Sequence, residues 1–359
     1  LATGSTTNPV SSNQTLSSDF SKGNFLLDRA WLRYQPTAAL TIAAGRMANP
    51  WLAPTDLLWD KDVNFDGWSG QYRLALGQQL STFINGGLFS LESTDGNFPG
   101  NSLFKVGSHD KWLYGLQLGG EWRNSDGWSA RSSMAYYDFA NVQAEVSSPC
   151  YTTSTAITCD TDHTRPAFVQ KGNTMMAIRD VLVQTPGLDP TYQYFGLASS
   201  YRLAELNASF DKALGSVIHA QVDVDVVKNL AFDRSGIYSR TPVNNLSPCP
   251  STMPNCHQDF IGGDSAYQVQ LRLGYPQIRD YGQWNSVFGY RYVESDAVLD
   301  ALTDSDFHLG GTNSKGYYLG GSVGFAHNAW LTARWLSATE VEGDPFAVDV
   351  LQLDVNARF

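Results

Sequence analysis

Apolar and polar residues alternate with a period of two through most of the chain, in runs of roughly ten to thirteen residues, and a helical period of 3.6 is almost absent. The last segment shows this most clearly. Leu351, Leu353, Val355, Ala357 and Phe359 share one face, and Gln352, Asp354, Asn356 and Arg358 share the other. Trp68, Tyr72, Leu74 and Leu76 alternate with Ser69, Gln71 and Arg73. Trp112, Tyr114, Leu116, Leu118 and Trp122 do so with Gln117, Glu121 and Arg123, and Tyr267, Val269, Leu271, Leu273 and Tyr275 with Gln268, Gln270 and Arg272. A soluble sandwich also alternates, but its strands average about five or six residues. A tilted strand crossing a bilayer needs about nine to eleven. The expected fold is all-β: one transmembrane antiparallel β-barrel domain over residues 1–359, with lipid outside and water inside.

Composition agrees. Charged residues make up 16% of the chain, against about 25% for a soluble protein. With 24 basic and 35 acidic residues and a net charge of −11, the chain is unsuited to nucleic acid. Its partner surface is instead the lipid bilayer, where aromatics near the strand ends would form girdles. No stretch of about 18 apolar residues occurs, which excludes helical spans.

Short and long connections alternate, as periplasmic turns and extracellular loops do in outer-membrane barrels. The short ones lie at 35–37, 77–79, 124–127, 214–216, 276–282 and 327–328; the long ones at 49–64, 92–110, 140–190, 229–263, 295–314 and 339–345. Taking Phe359 as a periplasmic end, thirteen strands are expected, at 24–35, 38–48, 65–76, 80–91, 110–122, 127–139, 191–212, 215–228, 264–275, 282–293, 315–325, 328–338 and 346–359. Bacterial single-chain barrels use even numbers. Fourteen strands are therefore expected, with a first strand upstream of Leu1 and residues 1–23 as a polar extracellular segment. Sixteen is the alternative, if a hairpin hides within 140–190 or 191–212, where the apolar phase slips around Ala204. Leu1 opens without a leader pattern, so the chain is expected to follow a removed signal peptide or to start further inside. Cys150 with Cys159 and Cys249 with Cys256 fall in the two longest loops, with spacings that do not suit zinc. Two local disulfides in an oxidising compartment are expected.

Particular segments are also recognisable. Gly45-Arg46-Met47-Ala48-Asn49-Pro50, the run from Asp56 to Asn64, Asp225-Val226-Val227-Lys228-Asn229, Gly289-Tyr290-Arg291-Tyr292-Val293-Glu294, the run from Thr303 to Asn313, and the tail from Trp335 to Phe359 together resemble the "putative porin" family of Gram-negative outer membranes. The resemblance implies an outer-membrane channel and no catalytic residues. Porins of this broad kind are often homotrimers, and Leu40, Ile42 and Ala44 offer a smooth protomer contact. A terminal Phe also resembles the signal read by the barrel-assembly machinery.

Function is then sought in the lumen. Arg29, Arg33, Arg73, Arg123, Arg131, Arg202, Arg272, Arg291, Arg334 and Arg358 fall on or near the polar phases, with Asp223, Asp225 and Asp354 as inward acids. Arginine rings favour anions, and opposed charges order water across a pore; the plainer reading is that each Arg braces the wall by pairing with a carboxylate. Asp56, Asp60, Asp62 and Asp66 in one loop, and Glu294, Asp296, Asp300, Asp304 and Asp306 in another, could bind calcium, but their spacing matches no calcium loop and a folded-in surface fits better. Residues 297–302 are expected to form a helical turn narrowing the mouth, and loop 140–190 is the expected constriction. Six histidines are scattered, five in loops or turns, and no enzyme motif occurs. The expected function is passive diffusion of ions and small hydrophilic solutes with no cofactor, the lumen arginines pointing to an anion preference; the alternative is a structural surface protein whose loops plug the barrel.

Overall fold

The computed structural model describes residues 2–14, 23–94, 103, 107–152, 156–182, 192–249 and 256–358. Thirteen strands form one antiparallel sheet, each paired with the next: β1 (Ala30–Tyr34), β2 (Leu40–Ala48), β3 (Asn64–Ala75), β4 (Leu80–Glu92), β5 (Lys111–Arg123), β6 (Trp128–Ala140), β9 (Tyr201–Ala213), β10 (His219–Asn229), β11 (Ser265–Gly274), β12 (Trp284–Val293), β13 (Ser314–Ala326), β14 (Ala329–Thr339) and β15 (Val348–Ala357). Between β6 and β9, a separate hairpin joins β7 (Met175–Ala177) to β8 (Phe195–Leu197). All connections at one rim are short; those at the other carry the long loops. The leader, Leu1 and Phe359 readings lie outside the described residues.

One face of the sheet is predominantly apolar and exposed. Trp68, Tyr72, Leu116, Leu118, Met134, Leu206, Phe288, Leu319 and Leu353 all stand on it. An exposed apolar face of that extent needs lipid against it. The other face wraps around an interior. Residues 50–57 alone reach Gln71 on β3, Gln117 on β5, Asn207 on β9, Gln270 on β11 and Arg291 on β12. A short segment can touch strands that far apart in sheet order only if the sheet curls around it.

The structure corrects two details of the strand reading. The segment expected at 191–212 is two elements, because β8 belongs to the small hairpin and the barrel strand begins at Tyr201. Within β9 the alternation is unbroken, with Tyr201, Leu203, Glu205, Asn207 and Ser209 all buried. The break in phase falls at residues 198–200, not around Ala204. The hairpin concealed in the long loop therefore exists, but outside the barrel sheet.

The interior also differs from a water-filled lumen along its whole height. Toward the long-loop rim the inward positions are apolar: Phe65, Phe89, Leu113, Tyr137, Phe139, Leu203, Val227, Ala266 and Val293 join one core with Trp51, Leu57, Leu58 and Trp59 of the loop after β2. Ring contacts tie it together, with Trp59 edge-on to Phe65 at 5.0 Å and to Tyr137 at 5.3 Å. Each such side chain contributes about 1.5–3 kcal/mol on burial. Gly87 and Gly115 leave the room, since a Cβ there would stand 3.1 Å and 2.7 Å from the Trp51 ring.

Candidate functional site

The site is built on loop 49–63. Its backbone has no ladder partner inside the barrel, so inward amides and guanidinium groups satisfy it, as buried backbone requires. Gln117 is fully buried and grips Leu52 twice: its Oε1 accepts from the Leu52 amide at 2.8 Å and its Nε2 donates to the Leu52 carbonyl at 3.0 Å. Asn207 donates to the same carbonyl at 2.9 Å. Gln270 and Arg272 donate to the Pro54 carbonyl at 3.1 and 2.9 Å. The Thr55 hydroxyl donates to Asp225 at 2.9 Å.

Arg291 closes the arrangement. Only 1% exposed, its guanidinium donates to the Asp56 carbonyl at 3.1 Å, to Gln268 at 3.1 Å and to the Thr303 hydroxyl, and lies 3.5 Å from the Asp56 carboxylate and 3.9 Å from Asp304. Thr303 in turn donates to the Leu57 carbonyl at 2.7 Å. One side chain thus joins loop 49–63 to the loop at 294–313. Within the latter, the helical turn expected over 297–302 is confined to Asp300–Leu302, and Ala297, Val298 and Leu299 before it are buried without being helical.

The constriction is therefore made by 49–63 with 294–313. The segment expected to make it, 140–190, lies above: Asn173 donates to the Ser295 and Val298 carbonyls, and Gln170 to those of Asp300 and Thr303. Length alone favoured 140–190. Loop 49–63 carries the apolar residues Trp51, Leu52, Leu57, Leu58 and Trp59, which water at a loop tip would penalise; that, with the inward Gln and Asn residues opposite, was the available signal. Both cysteine pairs are disulfides, Cys150–Cys159 and Cys249–Cys256.

The loop acids meet donors and one another. Asp60 accepts from the amides of Asp62 and Ser305, and burial next to Asp304 pushes its carboxyl up to about 6. Burial, with Asp296 nearby, raises Asp300 to about 7. Burial would raise Asp56 too, but Lys61 and Arg291 outweigh it and hold that carboxyl below the ordinary range. Among the described residues no group of three or more His, Cys, Asp or Glu side chains has the arrangement of a metal site.

Nine of the ten candidate arginines follow the inward phase. Arg29 donates to Asn64 at 2.6 Å, and Arg33 lies beside Gln35 and Thr41. Arg73 pairs with Glu121 at 2.8 Å, Arg272 with Asp223 at 3.3 Å and Arg334 with Asp306 at 3.4 Å. Arg358 stacks over Trp330. Arg123 and Arg131 line an open cavity without a carboxylate in pairing distance among the described residues. Arg202 is the exception. It shares the outward phase with Leu206 and Phe210, opposite Asp138 in register at the long-loop end of β9. There an arginine can reach past the hydrocarbon to the headgroup level. Asp223 and Asp225 are both inward and buried.

Two cavities flank the plug. One, of about 830 Å³, opens toward the short-turn rim and includes Arg123, Arg131, His219, Arg272 and Asn285. The other, of about 460 Å³, lies on the long-loop side and includes Ser11, Asp60, Asp62, Asp304 and Asp354. Both are bounded by Asp56, Lys61 and Arg334.

Comparison with curated proteins finds no match. Among solved structures, the crystal structure of Acinetobacter baumannii OccAB1 aligns with a TM-score of 0.35 and 12% identity, over 90% of this chain and 67% of that one. A family profile described as "Putative porin" matches residues 1–359. With its lipid-suited outer face and loop-filled interior, the chain belongs to the "Putative porin" family.

Proposed function

We propose that the protein is an outer-membrane channel for passive diffusion of ions and small hydrophilic solutes, with an off-centre path. Loop 49–63 packs across the lumen from β3 to β12, and the water path runs from the short-turn cavity, lined from β5 round to β14, past Arg334 to the long-loop cavity beside β14 and β15. The observation that carries this reading is the pair of cavities that share Asp56, Lys61 and Arg334 in their linings. The solute gradient drives transport, and the width and charge at those shared residues select. Arg123 and Arg131, with no carboxylate in pairing distance among the described residues, support anion preference in the larger of these two cavities. The short-turn rim is periplasmic in this reading, and the long loops face outward.

Planar-bilayer recording under a salt gradient tests it. Steady conductance with a reversal potential on the anion side supports both channel and preference; a cation-side reversal keeps the channel and gives selectivity to the loop acids. The apolar core around Trp59 favours a second reading, a plugged barrel that anchors surface loops. Absence of conductance from protein shown to be folded would establish it in place of the first.

The same proposal includes a closed barrel of fourteen strands. In an antiparallel series of thirteen, β1 and β15 run the same way, so closing them antiparallel takes one more strand. Leu40 and Ile42 on the outward phase of β2 support a subunit contact within a homotrimer. Cross-linking in detergent, read on a denaturing gel, tests the trimer.

A further inference from the structure

The two cavities carry opposite charge and share Asp56, Lys61 and Arg334 in their linings, one reaching the short turn at Tyr275–Gln277 and the other the long-loop residues Asp60, Asp62 and Asp304. The long-loop cavity is lined by six aspartates (Asp56, Asp60, Asp62, Asp304, Asp306 and Asp354) against Lys61 and Arg334 alone. The short-turn cavity is lined by Lys61, Arg123, Arg131, Arg272 and Arg334 against Asp56 and Asp211, and Asp211 is engaged by His219 at 2.8 Å. Asp223, beneath Arg272, offsets one more cation there, and Arg291 behind the plug offsets part of the acid surplus. A net acidic zone and a net basic zone remain, joined where Lys61 and Arg334 meet Asp56 and Asp306.

We infer that the channel rectifies ion current as a bipolar junction, passing more when the long-loop side is positive. This rests on the channel reading proposed above. Fixed charge of one sign gathers ions of the other. Cations are therefore enriched in the long-loop zone and anions in the short-turn zone. A potential positive on the long-loop side drives cations in through the acidic zone and anions in through the basic zone. Both accumulate at the junction, and resistance falls. The opposite potential pulls each out of the zone that holds it and asks the other zone to supply it. The junction is depleted, and resistance rises. The same polarity suits solutes bearing both charges, because each end of such a molecule meets its complement while it straddles Lys61 and Asp56.

The test is single-channel recording with sidedness fixed, using an Asp344→Cys variant biotinylated in the last long loop and streptavidin added to one chamber. A potential of one kT changes local ion concentration roughly threefold, so about twofold asymmetry is expected at 0.1 M potassium chloride, where the screening length is about 10 Å. It should vanish near 1 M, where that length is about 3 Å. Asp354→Asn flattens the acidic zone and Arg123→Gln with Arg131→Gln the basic one; each should bring the ratio toward one while conductance persists. A conducting wild type with symmetric current, asymmetry of the opposite sign, or asymmetry that survives 1 M salt overturns the inference and leaves the channel intact. A folded protein that does not conduct removes the channel reading and the inference with it.

Discussion

Arg291→Met is the substitution that asks most of the plug. Methionine replaces the aliphatic stem of arginine but ends short of the guanidinium and donates nothing. The change deletes donors to the Asp56 carbonyl, Gln268 and Thr303, and leaves the carboxylates of Asp56 and Asp304 facing each other without their shared cation. Removing one partner of a buried ion pair costs about 3–5 kcal/mol. The barrel wall keeps its ladder pairing through β11, β12 and β13, so the cost falls on docking of loops 49–63 and 294–313. At about 1.4 kcal/mol per decade, the docked-to-released ratio falls by roughly two to three and a half decades. Two measurements follow it: single-channel conductance should rise and grow noisier, and trypsin should cut after Lys61, whose side chain is already 77% exposed, at a far higher rate. Arg291→Lys should restore little, since one ammonium cannot span the fork of acceptors. If the folded variant, judged by heat-modifiable migration, shows wild-type conductance and cleavage, the loop is not held by Arg291.

Three further outcomes follow from the same geometry. Asp60 and Asp300 are raised by burial to about 6 and about 7, so docking of their loops is strongest below the ordinary carboxylate range and weakens as pH rises through those values; loop cleavage that is flat between about pH 4 and pH 8 would count against this. Reducing the disulfide at Cys150, which sits in a bonded ladder with Asp180 and Leu182, should loosen loop 141–200 by about 2–3 kcal/mol and leave heat-modifiability unchanged. Loss of the barrel on reduction would contradict it. Arg202→Gln should leave the reversal potential where it is, because that residue stands on the outward phase, whereas Arg272→Gln should shift it toward cations; equal shifts from both would refute that placement.

The sequence by itself determined the wall. Period-two alternation imposes two faces on every strand, and the lengths of the connections impose an antiparallel series with unequal rims. Strand positions, the disulfide partners and the inward phase of Arg73, Arg272 and Arg291 were all legible, because each depends on residues near in sequence. What fills the wall was not. Inward Phe65, Phe89 and Leu113 sit in the same alternation as polar Gln71, Asn85 and Gln117, and an apolar inward residue looks the same in sequence whether it meets water or Trp59. Loop 140–190 drew attention by its length, while the shorter loop 49–63 enters the lumen, because Gln117, Asn207, Gln270 and Arg291 converge from separate strands to satisfy its backbone. Arg202 joined the lumen candidates because it stood near a polar phase, whereas the unbroken alternation of β9 sets it on the outward phase with Leu206 and Phe210. The separation of an acidic from a basic cavity depends on where two loops fold within the barrel. Those contacts join residues far apart in the chain, and periodicity along a strand carries no information about which loop lies across from it.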